Sequence, residues 1–389
     1  MLSRRVPHDF APNAWSLLLE ERRAAGELLL DLAETNPTRV GLGGAGPAEL
    51  AALAQAEGAR YEPDPRGSLA AREAVAVYHA DRGAAVAPGH IVLTASTSEA
   101  YAHLFRLLAD PGGAFLVPSP SYPLFEPLAA LEGVSLRPYR LAYDGAWHLE
   151  LDSLEEAFAA DVRGVIVVQP NHPTGSCLDE QERARIETLC ERHGAAVISD
   201  EVFGDFPRPG RPAPLPSLAG GARVPTFVLS GLSKVCGMPQ MKLGWIVAGG
   251  PPAARDEALR GLEWIADLFL SVSTPVQVAL PTLLAARGRF QARVRERLAQ
   301  NLGRLGELAA RRPELQVLPA QGGWAAVLRV PRLRSEDEWT LGLLERGVVV
   351  HPGHFYDFSG EGYLVLSLIP EPAVFDEGIG RIQEFAAEA

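Results

Sequence analysis

The chain has 389 residues and a net charge of −12, with 47% hydrophobic and 22% charged residues. That length is too great for one ordinary core, so two lobes are expected. The acidic balance argues against a nucleic-acid or anionic-membrane surface, and no run is apolar and long enough to span a bilayer.

In chain order, the opening MLSRRVPHDFAPNAW has two arginines but no apolar core behind them, so no secretory signal is expected. GLGGAG at 41–46 fits GxGxxG by letters, but ETNPTRV before it carries a proline where a dinucleotide site needs a strand. From residue 90 to about 250 strands and helices alternate. HIVLTA (90–95) predicts a strand and TSEAYAHLFRLLAD (97–110) a helix; AFLVPS (114–119) and LFEPLAALEG (124–133) repeat the pair. GVIVVQP (164–170) predicts a third strand. The helix after it has Asp179 and Glu182 at capping-box spacing and Gly194 just beyond its end. AAVISD (195–200), TFVLSG (226–231) and GWIVAGG (244–250) are further strands. Their apolar runs do not alternate, as expected of a sheet covered on both faces. The pattern implies an α/β fold with a doubly wound, mostly parallel sheet. Past about residue 270 an arginine-rich helical region, 287–313, leads into LQVLPAQGGWAAVLRV and a short α+β tail. The expected division is an N-terminal arm with part of a small domain (1–45), a large domain (46–275) and a small C-terminal domain (276–389).

The three cysteines, Cys177, Cys190 and Cys236, are odd in number and lack metal-ligand spacing, which suits a reducing cytoplasm. The nine histidines are scattered, with neither HExxH nor CxxC, so no metal site is expected.

Ligands of an open α/β sheet sit at the carboxyl ends of its strands. The first strand delivers Ser96, Thr97 and Ser98 at a helix start, where free N–H groups and hydroxyls suit a phosphate. The second delivers Tyr122 between prolines, able to lie against a planar ligand. The third delivers QPNHPTG (169–175), a loop fixed by prolines from which Asn171 can point its amide into the cleft. The fourth ends on Asp200, a carboxylate that needs a cationic or hydrogen-bonding partner if buried. The fifth delivers Ser230, Ser233 and Lys234, with Lys242 in MKLGW beyond. Lys234 stands among small and apolar neighbours, an unusual setting for a solvated ammonium. A phosphate cradle, an aromatic plate, an amide, a carboxylate and an amine are the set that pyridoxal 5′-phosphate asks for. Its phosphate wants the cradle, its phenolic oxygen the amide, its ring nitrogen the carboxylate, and its aldehyde a lysine for a Schiff base.

PNHPTG, SDEVF and SGLSKVCGMPQMKLGW, spaced by 29 residues (171 to 200) and 34 residues (200 to 234), resemble the fold-type-I, class I/II aminotransferases of the aspartate aminotransferase superfamily. The resemblance runs from ETNPT (34–38) to GYLVLSL (362–368). It implies that Lys234 joins the cofactor covalently and moves the substrate proton, that Asp200 pairs with the ring nitrogen, that Asn171 meets the phenolic oxygen and that Tyr122 stacks on the ring. Thr97, Ser98 and Ser233 are implied as phosphate ligands. Tyr61, in YEPDPRGS, matches a tyrosine that reaches a neighbouring subunit's phosphate, which implies a homodimer with shared sites. Asn36 matches a strip lying over the substrate. The implied reaction moves an amino group from a small-molecule amino donor to a keto acceptor. Decarboxylation or elimination would start from the same bound species.

Four positions depart from the family pattern. Lys242 stands where an arginine usually binds phosphate, keeping the charge but not the fork. Gly231 replaces a frequent serine, whose role Ser230 could take. Phe203 replaces a frequent tyrosine that bonds the phenolic oxygen. Val365, in YLVLSL, stands where an arginine usually clamps the substrate's α-carboxylate. A carboxylate beside valine lacks a partner, so either the substrate has none or another cation holds it; Arg39 is the candidate, with His351 and His354 of HPGHF assisting.

Overall fold

The computed structural model describes Ser3, residues 5–7 and residues 11–388. The opening stretch read above for a signal, and with it the start of the 1–45 arm, lies partly outside them. A two-residue strand, β1 (Leu30–Asp31), precedes the main sheet. That sheet is built from β2 (Ile91–Thr94), β3 (Ala114–Ser119), β4 (Ser135–Tyr143), β5 (Trp147–Leu149), β6 (Val162–Val168), β7 (Ala196–Asp200), β8 (Thr226–Gly231) and β9 (Gly244–Gly249). Its spatial order is β2-β9-β8-β7-β6-β3-β4-β5. Strands β8, β7, β6, β3 and β4 run parallel, β9 is antiparallel to both its neighbours, and β5 returns antiparallel at the far edge.

Alternation along each strand deals successive side chains to two cores. Val165, Val167, Val197, Val228, Trp245 and Val247 face one core, under the helices Leu69–Asp81, Glu180–His193 and Thr274–Ala285. Ile166, Val168, Ile198, Phe227, Leu229 and Ile246 face the other, under Thr97–Leu108, Phe125–Glu132 and Pro252–Asp267. Every residue of β2, β7 and β8 is buried, which is why those runs read as continuously apolar. The doubly wound, mostly parallel sheet expected from the sequence is present. The helix Glu180–His193 has its capping box, with Asp179 accepting from the Glu182 N–H at 2.8 Å, and Gly194 closes it at φ 65°. Among the described residues no helix is long and apolar enough to cross a membrane.

A second sheet is made by β10 (Gln316–Val317), β11 (Ala325–Arg329), β13 (His351–Pro352) and β14 (Tyr363–Ser367), antiparallel in the order β10-β11-β14-β13; β12 (Val348–Val349) pairs in parallel with β1. Its core joins Leu30, Leu32 and Leu42 to Phe290, Trp324 and Phe375, and the 25-residue helix Arg287–Arg311 packs on it. Phe203 and Phe206, just past β7, belong to this core, so the chain leaving the large sheet is anchored in the second lobe.

A buried ion network steadies the same segment. Arg82 meets Glu201 at 3.2 Å and Asp205 at 3.8 Å, while the Tyr78 hydroxyl accepts from Arg82 at 2.8 Å and donates to Asp205 at 3.0 Å. Arg82→Leu leaves two buried carboxylates without their cation, so unfolding stability should fall by about 3–5 kcal/mol. Denaturant titration checks this. A loss under about 1 kcal/mol, typical of surface pairs, would show the network to be idle.

Candidate active site

The site forms where β8, β7, β6 and β3 end and where the helix after β2 begins. Lys234 lies in the short helix Leu232–Val235 that follows β8. Its Nζ stands 5.6 Å from the Phe203 ring centroid and 5.1 Å from the Trp324 ring. Burial pulls the ammonium down to about 8, and the carboxylates of Asp200 and Glu34 oppose that shift. The apolar flanks thus make an amine that is readily neutral, which is what a nucleophile requires.

Asp200 ends β7, beside β8, and is buried. Its Oδ2 accepts from the Tyr101 hydroxyl at 3.2 Å and its Oδ1 from the Val202 N–H at 3.2 Å. Burial nevertheless pushes the carboxyl up to about 6, against those two bonds and the pull of Lys234. A buried carboxylate so placed favours a cationic ligand atom. Tyr101 was not expected here, although it lies one helical turn past Thr97, within reach of periodicity reasoning.

At the helix start, Ser96 is the N-cap, its Oγ accepting from the Glu99 N–H at 3.1 Å. Thr97 and Ser98 are half-buried, and their hydroxyls have no hydrogen-bond partner among the described residues. A Cβ on Gly244 would come 3.2 Å from the Thr97 nitrogen, so glycine lets β9 pack against this turn. The Ser230 hydroxyl is fully buried and unpartnered. A Cβ on Gly231 would lie 3.0 Å from Gly244 Cα and from the Leu243 carbonyl, leaving little room for a serine there. Ser233 is half-buried, and Lys242 is exposed in a left-handed conformation at φ 50°.

The loop after β6 departs from expectation. Asn171 is buried and donates both amide hydrogens inward, to the Pro120 carbonyl at 3.1 Å and Thr174 Oγ1 at 2.9 Å. The amide expected to point into the cleft bonds here within the protein, to the loop itself and to the segment after β3. His172, unmarked in the sequence reading, stacks on Phe203 with centroids 5.7 Å apart and 26° between planes. It lies edge-on to Tyr356 at 5.4 Å and to Tyr122 at 6.3 Å. Burial, with Lys234 and His351 nearby, pulls it down to about 3, so it is neutral.

Val365 is buried in β14, opposite Val327 and His351. The position is apolar, and its neighbour His351 is neutral, pulled down to about 4 by burial and hydrogen-bonded to the Tyr356 hydroxyl at 2.9 Å. Arg39 is largely exposed and pairs with Glu34 at 3.3 Å. Arg39, Glu34, Trp15 and His351 line one cleft of about 260 Å³. Asn36 caps its own turn, its Oδ1 accepting from the Thr38 N–H at 3.0 Å and hydroxyl at 2.7 Å. His354 is not brought to this group: its ring meets Glu336 at 3.2 Å and Asp337 at 3.6 Å, tying it to the helix Glu336–Glu345. Tyr61 is 80% exposed and lines a second cleft together with the exposed Leu270.

The family described as aminotransferase class I and II matches residues 31–381. The chain is 30% identical over 242 residues to the S-alkyl-thiohydroximate lyase SUR1 of Arabidopsis thaliana, covering 60% of this chain and 50% of that protein, so it spans about half that relative's length. It is 27% identical to the tyrosine aminotransferase of Bos taurus, over 83% of this chain and 73% of that one. Among solved structures, the alanine aminotransferase of Pyrococcus furiosus superposes with a TM-score of 0.88 at 24% identity, covering 100% of both chains. That likeness is one of fold.

Proposed function

Because the chain belongs to the aminotransferase class I and II family, we propose that it is a pyridoxal 5′-phosphate-dependent aminotransferase, moving an amino group from an amino donor to a keto acid or aldehyde. One observation carries the reading: an amine lowered to about 8 follows β8 while a buried carboxylate ends the adjacent parallel strand β7. The donor set fits the cofactor. The unpartnered Ser230 hydroxyl and the free hydroxyls of Thr97 and Ser98, at the N-terminus of a 12-residue helix, suit a phosphate, with Ser233 and Lys242 beyond them. When bound, the cofactor supplies an electron-withdrawing ring joined to the substrate's amino group. With the cofactor in place, Lys234 would be the group that moves the substrate carbon's proton, and Asp200 would hold the ring nitrogen in its protonated form. A panel of amino donors and keto acceptors tests the reading. Stoichiometric keto-acid formation is expected; carbon dioxide release or fragmentation of the substrate would favour a decarboxylase or lyase, a second reading supported by the lyase among the relatives.

The substrate carboxylate is proposed to bind at Arg39, beside His351, since Val365 offers it nothing. The shared cleft supports this, and Glu34 keeps the guanidinium at its rim until a ligand competes. Arg39→Ala should lower kcat/KM for an α-amino acid roughly 10- to 100-fold, the worth of a charge-assisted hydrogen bond, and leave the matching decarboxylated amine unaffected. Equal rates for acid and amine in the wild type, or no effect of Arg39→Ala, would reject the relocated clamp. Assembly as a homodimer is proposed from exposed Tyr61 and the exposed Leu270 of its cleft. The unpaired state of all three cysteines supports a reducing, cytoplasmic setting.

A further inference from the structure

We propose that Tyr101 is a positioning residue for Asp200: its hydroxyl holds Oδ2 of that carboxylate and keeps the group ionised for the cofactor's ring nitrogen. The inference rests on the cofactor reading above and extends it to a side chain that acts only through Asp200.

Two tethers reach the carboxylate from different elements. Oδ1 accepts from the Val202 N–H just past β7, and Oδ2 accepts from the Tyr101 hydroxyl on the helix Thr97–Leu108, each at 3.2 Å. Together they fix the plane of the carboxylate, and its remaining lone pairs stay available to a ligand N–H. Any residue at 202 other than proline would supply the backbone tether, so Tyr101 is the tether that the sequence chooses. It stands four residues after Thr97, on the same face of the helix. One helix thereby carries both the hydroxyls of the phosphate cradle and the donor to Asp200.

The tyrosine is built to donate. Its side chain is 2% exposed, and its ring lies edge-on to Phe125 at 5.2 Å and tilted on Phe105 at 6.0 Å. Burial, with Asp200 beside it, pushes the phenol well above its ordinary range, so the proton stays on the oxygen at neutral pH. A donor to a buried carboxyl favours the ionised form. The other groups acting on Asp200 are Glu201 next to it, which opposes its charge, and Lys234 after β8, which favours it. Tyr122, after β3, is a neutral phenol raised by burial and by the same carboxylate. Lys234 must itself be neutral to attach the cofactor, which leaves Tyr101 as the side chain favouring the carboxylate's charge at that moment.

The test titrates apoprotein with pyridoxal 5′-phosphate across pH. Wild-type affinity is expected to decline as pH falls through about 6, where Asp200 gains its proton. Without its donor the protonated form is favoured, so in Tyr101→Phe that midpoint should rise by about one to two pH units, the worth of one hydrogen bond to a charged group. Phenylalanine keeps the packing on Phe105 and Phe125. Tyr139→Phe is the control: that hydroxyl is equally buried but donates to the Ile166 carbonyl at 2.8 Å, so its loss should lower the melting temperature and leave the midpoint in place. A second readout needs no cofactor and no change at Tyr101. In apoprotein isotopically labelled at the ζ carbon of tyrosine, the Tyr101 resonance should shift as pH passes about 6, and that shift should vanish in Asp200→Asn. An unmoved midpoint in folded Tyr101→Phe, an equal rise in Tyr139→Phe, or a Tyr101 resonance without that step overturns the inference and leaves the cofactor reading standing. A wild type that takes up no cofactor overturns both.

Discussion

Lys234→Ala is expected to yield a folded, colourless protein whose turnover falls by at least about 10⁴-fold, the upper range for removing a positioned proton-transfer group. Two losses coincide at one atom, because the amine both attaches the cofactor and carries the substrate proton. Folding should survive. Lys234 makes no hydrogen bond among the described residues, and its links to Phe203 and Trp324 are cation–π contacts, worth about 0.5–2 kcal/mol each. Opposing them is the desolvation of the ammonium. Its pKa is lowered on folding from 10.5 to about 8, so folding disfavours its charged form, and that penalty is present at neutral pH and fades as pH rises toward 10.5. Near neutral pH the alanine variant should therefore melt close to the wild type, and a calorimetric scan beside the activity assay checks both halves. Turnover near the wild-type rate would remove Lys234 from the mechanism and with it the cofactor reading.

The central strands were legible because burial on both faces leaves a signature that needs no partner: β2, β7 and β8 are buried throughout and carry unbroken apolar runs. Strand β4 was not, since SLRPYRLAY carries Arg137, Pro138 and Arg140 and reads as a poor strand, yet its first six residues pair with the whole of β3. The helix Thr274–Ala285 was hidden by its internal Pro281. The site followed the same division. Lys234 and Asp200 could be found because each sets a charged group at the end of an apolar run, a conflict that only a ligand or an ion pair resolves. The inward hydrogen bonds of Asn171 could not, because the letters of a loop do not say which way adjacent side chains point. Two residues changed meaning through distant neighbours. His354 meets Glu336 across 18 positions, and Val365 gains its neutral neighbour His351 only through the β13–β14 register.

Asp200→Asn should lower kcat/KM by roughly 10²- to 10³-fold, comparable to removing one preorganised electrostatic contact from a transition state, and weaken cofactor affinity with it. Asparagine keeps the shape of the site. Its Oδ1 can still accept from the Val202 N–H, while its amide donates to the Tyr101 oxygen, which reverses that bond and leaves the Tyr101 O–H to turn to another acceptor. The main loss is the charge, and with it the reason for the ring nitrogen to hold its proton. The pH dependence isolates this role. Asp200 without ligand is pushed up to about 6 by burial, and a protonated ring binds best to the ionised carboxylate, so wild-type cofactor affinity should decline as pH falls through about 6. The asparagine variant, with no proton to take up there, should lack that step. The wild type should show a second step near 8 from Lys234, whose amine must be neutral to attach the cofactor, and the variant, lacking the Asp200 charge that holds that amine up, should show it at lower pH. Titrating apoprotein with cofactor across that range reads both steps in one series. Superimposable profiles for the two proteins, or an Asp200→Asn enzyme with unchanged kcat/KM, would mean that the carboxylate is paired with something other than the ring.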